Sequence, residues 1–215
     1  MKKKITVKTI LISLFGIFLV SMGVAFNNCA GLGNDSVGIV YDGIRSITGM
    51  NAEQLGMASN VVNVALIVLL FLLARRYISV GTFVYIIPYG TFVKVGTMIY
   101  HAVFTSDGMT VKSVASVLGC LLLYFGVAIY ITLDIGVDPF TGIVLFLRDV
   151  TKKQYRYVKI GFDICMIILG TVLGGKLGVV TFVTALTAGP VIQFFSEQLK
   201  KSEWLMRGVE IEKNA

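Results

Sequence analysis

Two aspartates lie in short glycine-containing segments that interrupt long apolar stretches of the chain. Asp35 belongs to the segment "GNDSV" and Asp138 to the segment "GVDPF". Aspartate is a favoured N-cap residue and proline is favoured at the first helical position, so each segment predicts a helix start after a break. The residues that form the two predicted helix breaks are Gly33, Ser36, Gly136 and Pro139.

The amino-acid composition indicates whether these breaks lie in water or in a membrane. Hydrophobic residues make up 56% of the 215 positions and charged residues only 14%. A soluble domain has about 25% charged residues. Six apolar runs, at 10–30, 55–74, 78–104, 113–133, 158–174 and 177–195, approach or exceed the length that crosses a bilayer as helix. The sequence therefore predicts an all-α, polytopic membrane helical bundle with six spans.

Two interpretations of the breaks remain open. In the first, each aspartate only caps a short helix that follows a longer one. In the second, the breaks lie below the membrane surface, where exposed backbone is tolerated only beside protein or a watery cavity. Facing helix N-termini would then offer amide groups to an anion and carboxylates to a cation. A capping residue is needed in both interpretations.

Other polar residues lie inside the apolar runs, where ionisable side chains are costly and are therefore candidates for function. The structural alternative for Asp163 is a hydrogen bond to a neighbouring helix or a wet position near the surface. For Lys94 the alternative is that its long side chain reaches the headgroups. The functional hypothesis is an opposed set with three acids, one counter-charge and two neutral amides, namely Asp35, Asp138, Asp163, Lys94, Asn63 and Gln193.

Basic residues show which loops face the cytoplasm. The net charge is +7, and most of the 19 Lys and Arg residues fall on alternate loops or at the two ends. By the positive-inside rule, six spans then have both termini in the cytoplasm, in the inner or plasma membrane. The basic excess orients the chain and predicts no nucleic-acid partner. The N-terminal run is interpreted as a retained helix rather than a cleaved signal peptide.

The two halves of the chain resemble each other. The segment 23–40 lies over 126–144, and "TFVYIIPYG" at 82–90 lies over "TFVTALTAG" at 181–189. Each half has a long helix, a glycine-rich break, a short segment (36–47 or 139–150) and two further helices. With six spans the halves, 1–107 and 108–200, have opposite orientations, which is the inverted-repeat plan of secondary transporters. Residues 201–215 form a short cytoplasmic tail.

Several other chemistries are not indicated by the sequence. The three cysteines, Cys29, Cys120 and Cys165, have no paired spacing, and His101 is the single histidine, so we expect neither a disulfide framework nor a metal site. No phosphate-binding loop is present, and "GLG" does not follow a strand. We expect no cofactor and no enzymatic activity.

The paired breaks "GLGNDSVGI" and "DIGVDPFTGI", each after a helix with Gly-Val-Ala, resemble the bacterial YczE/YyaS/YitT group of integral membrane proteins. The resemblance extends over about residues 8–200. The group's typical break, G-x-x-P or G-x-D-P, fits the second half, whereas Ser36 replaces the proline in the first. Longer YitT-like members have a soluble C-terminal domain that is not expected here. The resemblance implies a fold but no substrate.

The leading functional hypothesis is a secondary-type transporter of a small solute or ion, with a site near the two breaks. One alternative is a substrate-binding membrane subunit that works with separate energising subunits. The other is a membrane scaffold or accessory protein without transport activity. The expected partners are the lipid bilayer and an unknown small solute or ion, with either a further copy of the chain or energising subunits as candidate protein partners.

Overall fold

A computed structural model describes residues 6–133 and 135–201 of the chain. All regular structure in this part is helical. Apart from Lys201, the predicted cytoplasmic tail lies outside the described residues, as do the N-terminal lysines at positions 2–4. The prediction of an all-helical fold is confirmed.

The described chain forms eight α-helices and two short 3₁₀ turns. The α-helices are α1 (Val7–Ala30), α2 (Gly38–Ile47), α3 (Leu55–Leu73), α4 (Val80–Val103), α5 (Met109–Leu133), α6 (Pro139–Thr151), α7 (Tyr155–Val172) and α8 (Val179–Lys200). The 3₁₀ turns, Ala52–Gln54 and Arg75–Tyr77, lie immediately before α3 and shortly before α4. Local signals explain several ends: Thr6 caps the start of α1, and Gly31, with a φ of 70°, ends it.

Five of the helical segments are long and apolar enough to cross a membrane: Val7–Ala30, Ala52–Leu73, Val80–Val103, Met109–Leu133 and Val179–Lys200. Their outward surfaces remain apolar; Leu72, Ile87 and Leu186 are 72%, 75% and 78% exposed. Such continuous apolar exposure fits contact with lipid rather than water. The remaining predicted crossing, the fifth in chain order, corresponds to α7, which has 18 residues but contains the charged residues Arg156, Lys159 and Asp163.

The centre of the bundle is the pair α1 and α5, which cross in antiparallel directions. A Cβ atom on Gly16 would meet the carbonyl oxygen of Gly126, and a Cβ atom on Gly23 would meet that of Gly119. Glycine at these four positions lets the two backbones touch. In the sequence repeat, Gly16 corresponds to Gly119 and Gly23 corresponds to Gly126. At the crossing, Gly16 contacts Gly126 and Gly23 contacts Gly119. The two contacts are therefore equivalent to each other under exchange of the two halves.

The other helices surround this pair in a reciprocal arrangement. Helix α4 packs on α1, and α8 packs on α5. The short helix α2 packs on α7 of the other half, and the short helix α6 packs on α3 of the other half. Each short helix therefore lies between helices of both halves of the chain.

The two short helices differ slightly from the predicted segments. Helix α6 begins at Pro139 as expected, with Asp138 as its N-cap, and ends at Thr151. Helix α2 begins at Gly38 rather than at Ser36. The reason is a turn before the helix, in which the backbone N–H of Val37 donates to Asp35 Oδ2 and that of Ile39 donates to the Asp35 carbonyl.

Candidate functional site

Asp138 fixes the start of α6 through two hydrogen bonds. Its Oδ1 atom accepts from the backbone N–H of Thr141 at 3.0 Å, and its Oδ2 atom accepts from the Thr141 hydroxyl at 2.6 Å. Pro139 follows at the first helical position, where its missing N–H costs nothing. This is the capping geometry that the sequence predicts, and it holds the carboxylate at the helix N-terminus.

The first break connects to the second half through a serine hydroxyl. Ser36 Oγ donates to Asp163 Oδ1 of α7 at 2.7 Å. The same oxygen accepts from Lys159 Nζ at 2.5 Å, one turn earlier on α7. An ion pair four residues apart on one helix lowers the cost of keeping both charges in an apolar segment. Ser36 thus lies against a charge pair near the middle of α7.

The N-terminal parts of α2 and α6 meet at an aromatic contact. The ring centroids of Tyr41 in α2 and Phe140 in α6 are 5.9 Å apart. Tyr41 also lies 5.8 Å from Tyr89 of α4, and its hydroxyl donates to Asn63 Oδ1 of α3 at 3.3 Å. Tyr41 and Asn63 are both almost completely buried. We call the contact region of Tyr41, Asn63, Tyr89 and Phe140 the junction.

Each break forms a hydrogen bond with a threonine of the other half of the chain. The threonine lies in the first turn of the last long helix of that half, α4 or α8. The hydroxyl of Thr82, at the start of α4, donates to the Val137 carbonyl at 2.8 Å. The hydroxyl oxygen of Thr181, at the start of α8, accepts from the backbone N–H of Asn34 at 3.2 Å. Thr82 and Thr181 are equivalent positions of the sequence repeat. In each half, a threonine hydroxyl therefore forms a hydrogen bond with the backbone of the break in the other half.

The glycines of the breaks are required by these contacts. Gly33 and Gly136 both have positive φ angles, 109° and 150°. A Cβ atom at Gly33 would lie 2.8 Å from the backbone of Gly178, and one at Gly136 would overlap the Ser79 hydroxyl. Both glycines therefore combine a backbone angle that other residues avoid with a close approach to the opposite half.

Several buried polar atoms near the breaks have no hydrogen-bond partner among the described residues, including Asp35 Oδ1, Asn28 Nδ2, Asn34 Oδ1 and Asn63 Nδ2. The side chains of Asn34 and Asn63 have relative exposures of only 1% and 0%. Buried polar atoms are almost always paired, by protein or by ordered water. Asn63 Nδ2 is such an unpaired donor, and it lies at the junction.

The structure does not bring the whole predicted set together. Asp35, Asp138, Asp163 and Asn63 lie at the breaks or on the helices that contact them. Lys94 is exposed, and Gln193 is exposed and donates to Glu197 at 2.8 Å. Within the described residues, no hydrogen bond or ion pair connects Lys94 or Gln193 with the acids. The cation beside Asp163 is instead Lys159.

Several residues of the site were not singled out from the sequence. Lys159 could have been found, because "KIGFD" places a lysine four residues before Asp163. The tyrosines of the junction could not, since aromatic residues are common in apolar helices. Tyr85 stacks on Tyr89 with centroids 5.1 Å apart and contacts Tyr130 at 5.4 Å, which extends the aromatic cluster towards α5.

A buried carboxylate lies outside the junction, on α2. Asp42 of α2 is fully buried and accepts from Arg45 Nη2 at 2.7 Å and from the backbone N–H of Lys176 at 2.8 Å. Both of its oxygens are satisfied, so it ties α2 to the loop before α8. In the described part of the chain, no three His, Cys, Asp or Glu residues are grouped for metal binding.

Comparison with known proteins identifies the family of the chain. Residues 7–197 match the family of unknown function DUF6198. An uncharacterised protein of Haemophilus influenzae is 27% identical over 188 residues, which cover 87% of this chain and 83% of that protein. The uncharacterised membrane protein YczE of Bacillus subtilis is 23% identical over 123 residues, or 57% of this chain and 56% of YczE. No solved structure matches the chain. The chain is thus a membrane protein that belongs to the family DUF6198, a YczE-type family.

Proposed function

We propose that this protein is a secondary-type transporter of a small solute or ion, whose path passes through the junction of α2 and α6. The observation that carries the proposal is the meeting of the two short helices at Tyr41 and Phe140, beside the unpaired amide donor of Asn63. Secondary transporters bind substrate where interrupted helices of two repeats meet near the middle of the membrane.

The proposal includes six spans arranged as two inverted repeats in a bacterial-type plasma membrane. Both termini then lie on the cytoplasmic side of that membrane. The antiparallel crossing of α1 and α5 through equivalent glycines supports it, because a two-fold axis in the membrane plane relates matched positions in this way. The reciprocal contacts of Thr82 and Thr181 support it independently. In this arrangement α7 is the fifth span and α8 the sixth.

The chemistry of the junction suits a solute with hydrogen-bonding groups. Asn63 offers an amide donor, and Tyr41 and Tyr89 offer ring faces and hydroxyls. The Ser36–Asp163–Lys159 group provides a charge pair that a moving ion or proton could disturb. Polar groups without partners are costly inside a bilayer, so a site of this kind favours occupation by water or solute.

The experiment that tests this proposal measures access of water-borne reagent to the junction. In a variant without native cysteines, Asn63→Cys is compared with Val64→Cys, its neighbour on α3, which is 55% exposed on the outer surface of the bundle. A small, permanently charged thiol reagent is added to the inside or the outside of oriented vesicles. Size-exclusion chromatography confirms that both variants are folded.

A transport path predicts that the thiol of Asn63→Cys reacts with the charged reagent from at least one side. The thiol of Val64→Cys, which faces lipid, should react only with a membrane-permeant reagent. Reaction at position 63 from both sides would show that water-borne reagent reaches the junction from each side. If position 63 resists the charged reagent from both sides as completely as position 64 does, no watery path reaches the junction and the proposal is wrong.

A further inference from the structure

A basic pocket lies at the end of the bundle where α3 passes into α4 and where α6 ends. Its volume is about 360 Å³, and it is lined by Arg76, Arg148, Asp149, Lys152 and Lys153. Four cationic side chains thus face one carboxylate. Charge distribution along the sequence predicts that this end of the bundle faces the cytoplasm. The pocket is separate from the junction, and nothing in the proposed transport path uses it.

Asp149 organises the two arginines of the pocket. Its Oδ2 atom accepts from Arg76 Nη2 at 2.8 Å, and its Oδ1 atom accepts from Arg148 Nε at 2.8 Å. The Tyr77 hydroxyl also donates to Asp149. The hydrogen bond from Tyr77, followed by that from Arg148, lowers the pKa of the Asp149 carboxyl. Asp149 is therefore ionised at neutral pH and holds both guanidinium groups in position.

The arginines keep donors that Asp149 does not use. A guanidinium carries five N–H donors in a fixed planar fork, and the bonds to Asp149 and Tyr77 occupy only some of them on Arg76 and Arg148. Such forks match the oxygens of a phosphate group. One carboxylate cannot neutralise four cations, so the pocket keeps an excess of positive charge that attracts a further anion.

Lys152 adds a cation at the expense of backbone strain. It ends α6 with a φ of 57°, and among the described residues it is the non-glycine residue with positive φ. At the corresponding turn after α2, the first half has Gly49, with a φ of 68°. Glycine adopts this angle without a steric penalty, whereas lysine does not. The turn after α6 therefore has a lysine side chain that lines the pocket, at the expense of strain that a glycine would avoid.

We propose that this pocket binds a phosphate group, carried either by the headgroup of an anionic lipid or by a soluble phosphate compound. Pockets of lysine and arginine at the cytoplasmic ends of membrane helices have the charge and position that anionic headgroups require. Surface lysines alone would attract such lipids diffusely, but the arginines held by Asp149 form a site with defined donors.

The test measures thermal stabilisation of the purified full-length protein in lipid nanodiscs and in detergent. Nanodiscs of phosphatidylcholine are compared with nanodiscs that contain phosphatidylglycerol, and inorganic phosphate is titrated into the detergent sample. The variants are Lys152→Gly, which removes a pocket cation and relieves the strained turn, and Lys153→Gln. Lys200→Gln, at the end of α8 and outside the pocket, is the matched control for loss of one positive charge.

We expect phosphatidylglycerol or phosphate to raise the melting temperature, and each pocket variant to weaken that binding by about fivefold, the effect of one lysine near an anionic surface. The Lys200→Gln variant should bind as the parent does. Stabilisation by phosphatidylglycerol alone identifies a lipid headgroup, and stabilisation by inorganic phosphate in detergent identifies a soluble phosphate compound. Because glycine suits the turn, loss of binding in Lys152→Gly is not expected to be accompanied by loss of folded protein.

Two results would overturn the proposal. In one, neither phosphatidylglycerol nor phosphate stabilises the parent protein more than phosphatidylcholine or chloride does. In the other, Lys200→Gln weakens binding as much as Lys152→Gly and Lys153→Gln do, which would show diffuse attraction to the whole basic surface. Both results are independent of the thiol accessibility of Asn63→Cys, so this proposal and the transport proposal can fail separately.

Discussion

Ser36 Oγ donates a hydrogen bond of 2.7 Å to Asp163 Oδ1, and this bond joins the first break of the chain to a helix of the second half. Because Lys159 Nζ approaches the same oxygen, the serine hydroxyl and the ammonium group share one acceptor. A change in the charge of Asp163 or Lys159 would therefore change the strength of the hydrogen bond between Ser36 and Asp163. In the proposed transporter, such a link couples the charge pair on α7 to the position of the break.

Replacing Ser36 with alanine should lower the stability of the folded protein by about 1 kcal/mol, because one interhelical hydrogen bond is lost while the ion pair remains. Thermal unfolding in detergent measures the effect. Ser106→Ala, in the exposed loop between α4 and α5, serves as the control and should change stability by less than about 0.5 kcal/mol. Equal effects of both variants would show that the Ser36 bond is not stabilising.

Asp163→Asn separates the charge from the hydrogen bond. The amide oxygen can still accept from Ser36, but the ion pair with Lys159 is removed. If the pair takes part in transport, the amount of folded protein should stay unchanged while transport is abolished. Since the solute is unidentified, the readout is the rate at which the Asn63→Cys thiol reacts with charged reagent, which should fall from one side of the membrane. Loss of folded protein instead would assign Asp163 a structural role.

Thr82→Val and Thr181→Val should destabilise the protein to a similar extent. Each substitution keeps the shape of the side chain but removes the hydroxyl that satisfies a backbone group of the opposite break. Leaving a buried backbone donor or acceptor unpaired costs about 1–3 kcal/mol. Thr171→Val is the matched control, because the Thr171 hydroxyl is exposed and bonds only to its own helix, at Ile167. A loss in only one of the two variants would contradict the reciprocal roles.

Gly33→Ala and Gly136→Ala should strongly reduce the yield of folded protein. Both positions have positive φ angles, which cost about 1–3 kcal/mol for other residues, and both approach the opposite half closely. Gly161→Ala is the control in the middle of α7, where an added Cβ atom meets nothing within 4 Å. That variant should gain up to about 1 kcal/mol from higher helix propensity. Normal yields of Gly33→Ala would show that the first break tolerates rearrangement.

The sequence was sufficient for the main features of the fold. Apolar runs predict membrane helices, and glycine, aspartate and proline at the breaks predict where helices stop and restart, because these signals act within a few residues. The cap at Asp138 is such a local signal and is confirmed. The start of α2 at Gly38 was missed by two residues, since the turn made by Asp35 precedes the helix rather than starting it.

The contacts between the halves could not be predicted in the same way. Nothing in the sequence near Thr82 indicates that its hydroxyl reaches Val137, which is 55 residues away. The same holds for the position of Lys94: a lysine in an apolar run is equally compatible with a binding residue and with an outward side chain, and only the packing of α4 shows it exposed. Pairing between helices depends on the whole bundle, whereas capping and helix length depend on neighbouring residues.

The orientation of α7 is the remaining structural prediction, and the structure offers an argument for a crossing. Helix α7 begins directly after α6, close to the basic pocket, and its C-terminal part packs on α2, where Gly170 approaches Gly43. Its charges do not exclude a membrane position, because Lys159 and Asp163 neutralise each other. We therefore expect the loop before α8 and the loop before α5 to lie on the same side of the membrane.

Single cysteines at Ser106, Gln154 and Leu177, each exposed in a chain without native cysteines, test this orientation. With six spans and a cytoplasmic N-terminus, an impermeant thiol reagent added to intact cells should label positions 106 and 177 but label position 154 only after the cells are opened. Permeabilised cells give the control for reactivity at all three positions. Labelling of position 177 only in opened cells, together with 154, would mean that α7 does not cross. Because the two halves are inverted only if α7 crosses, that outcome would also remove the main support for a transport path between the repeats.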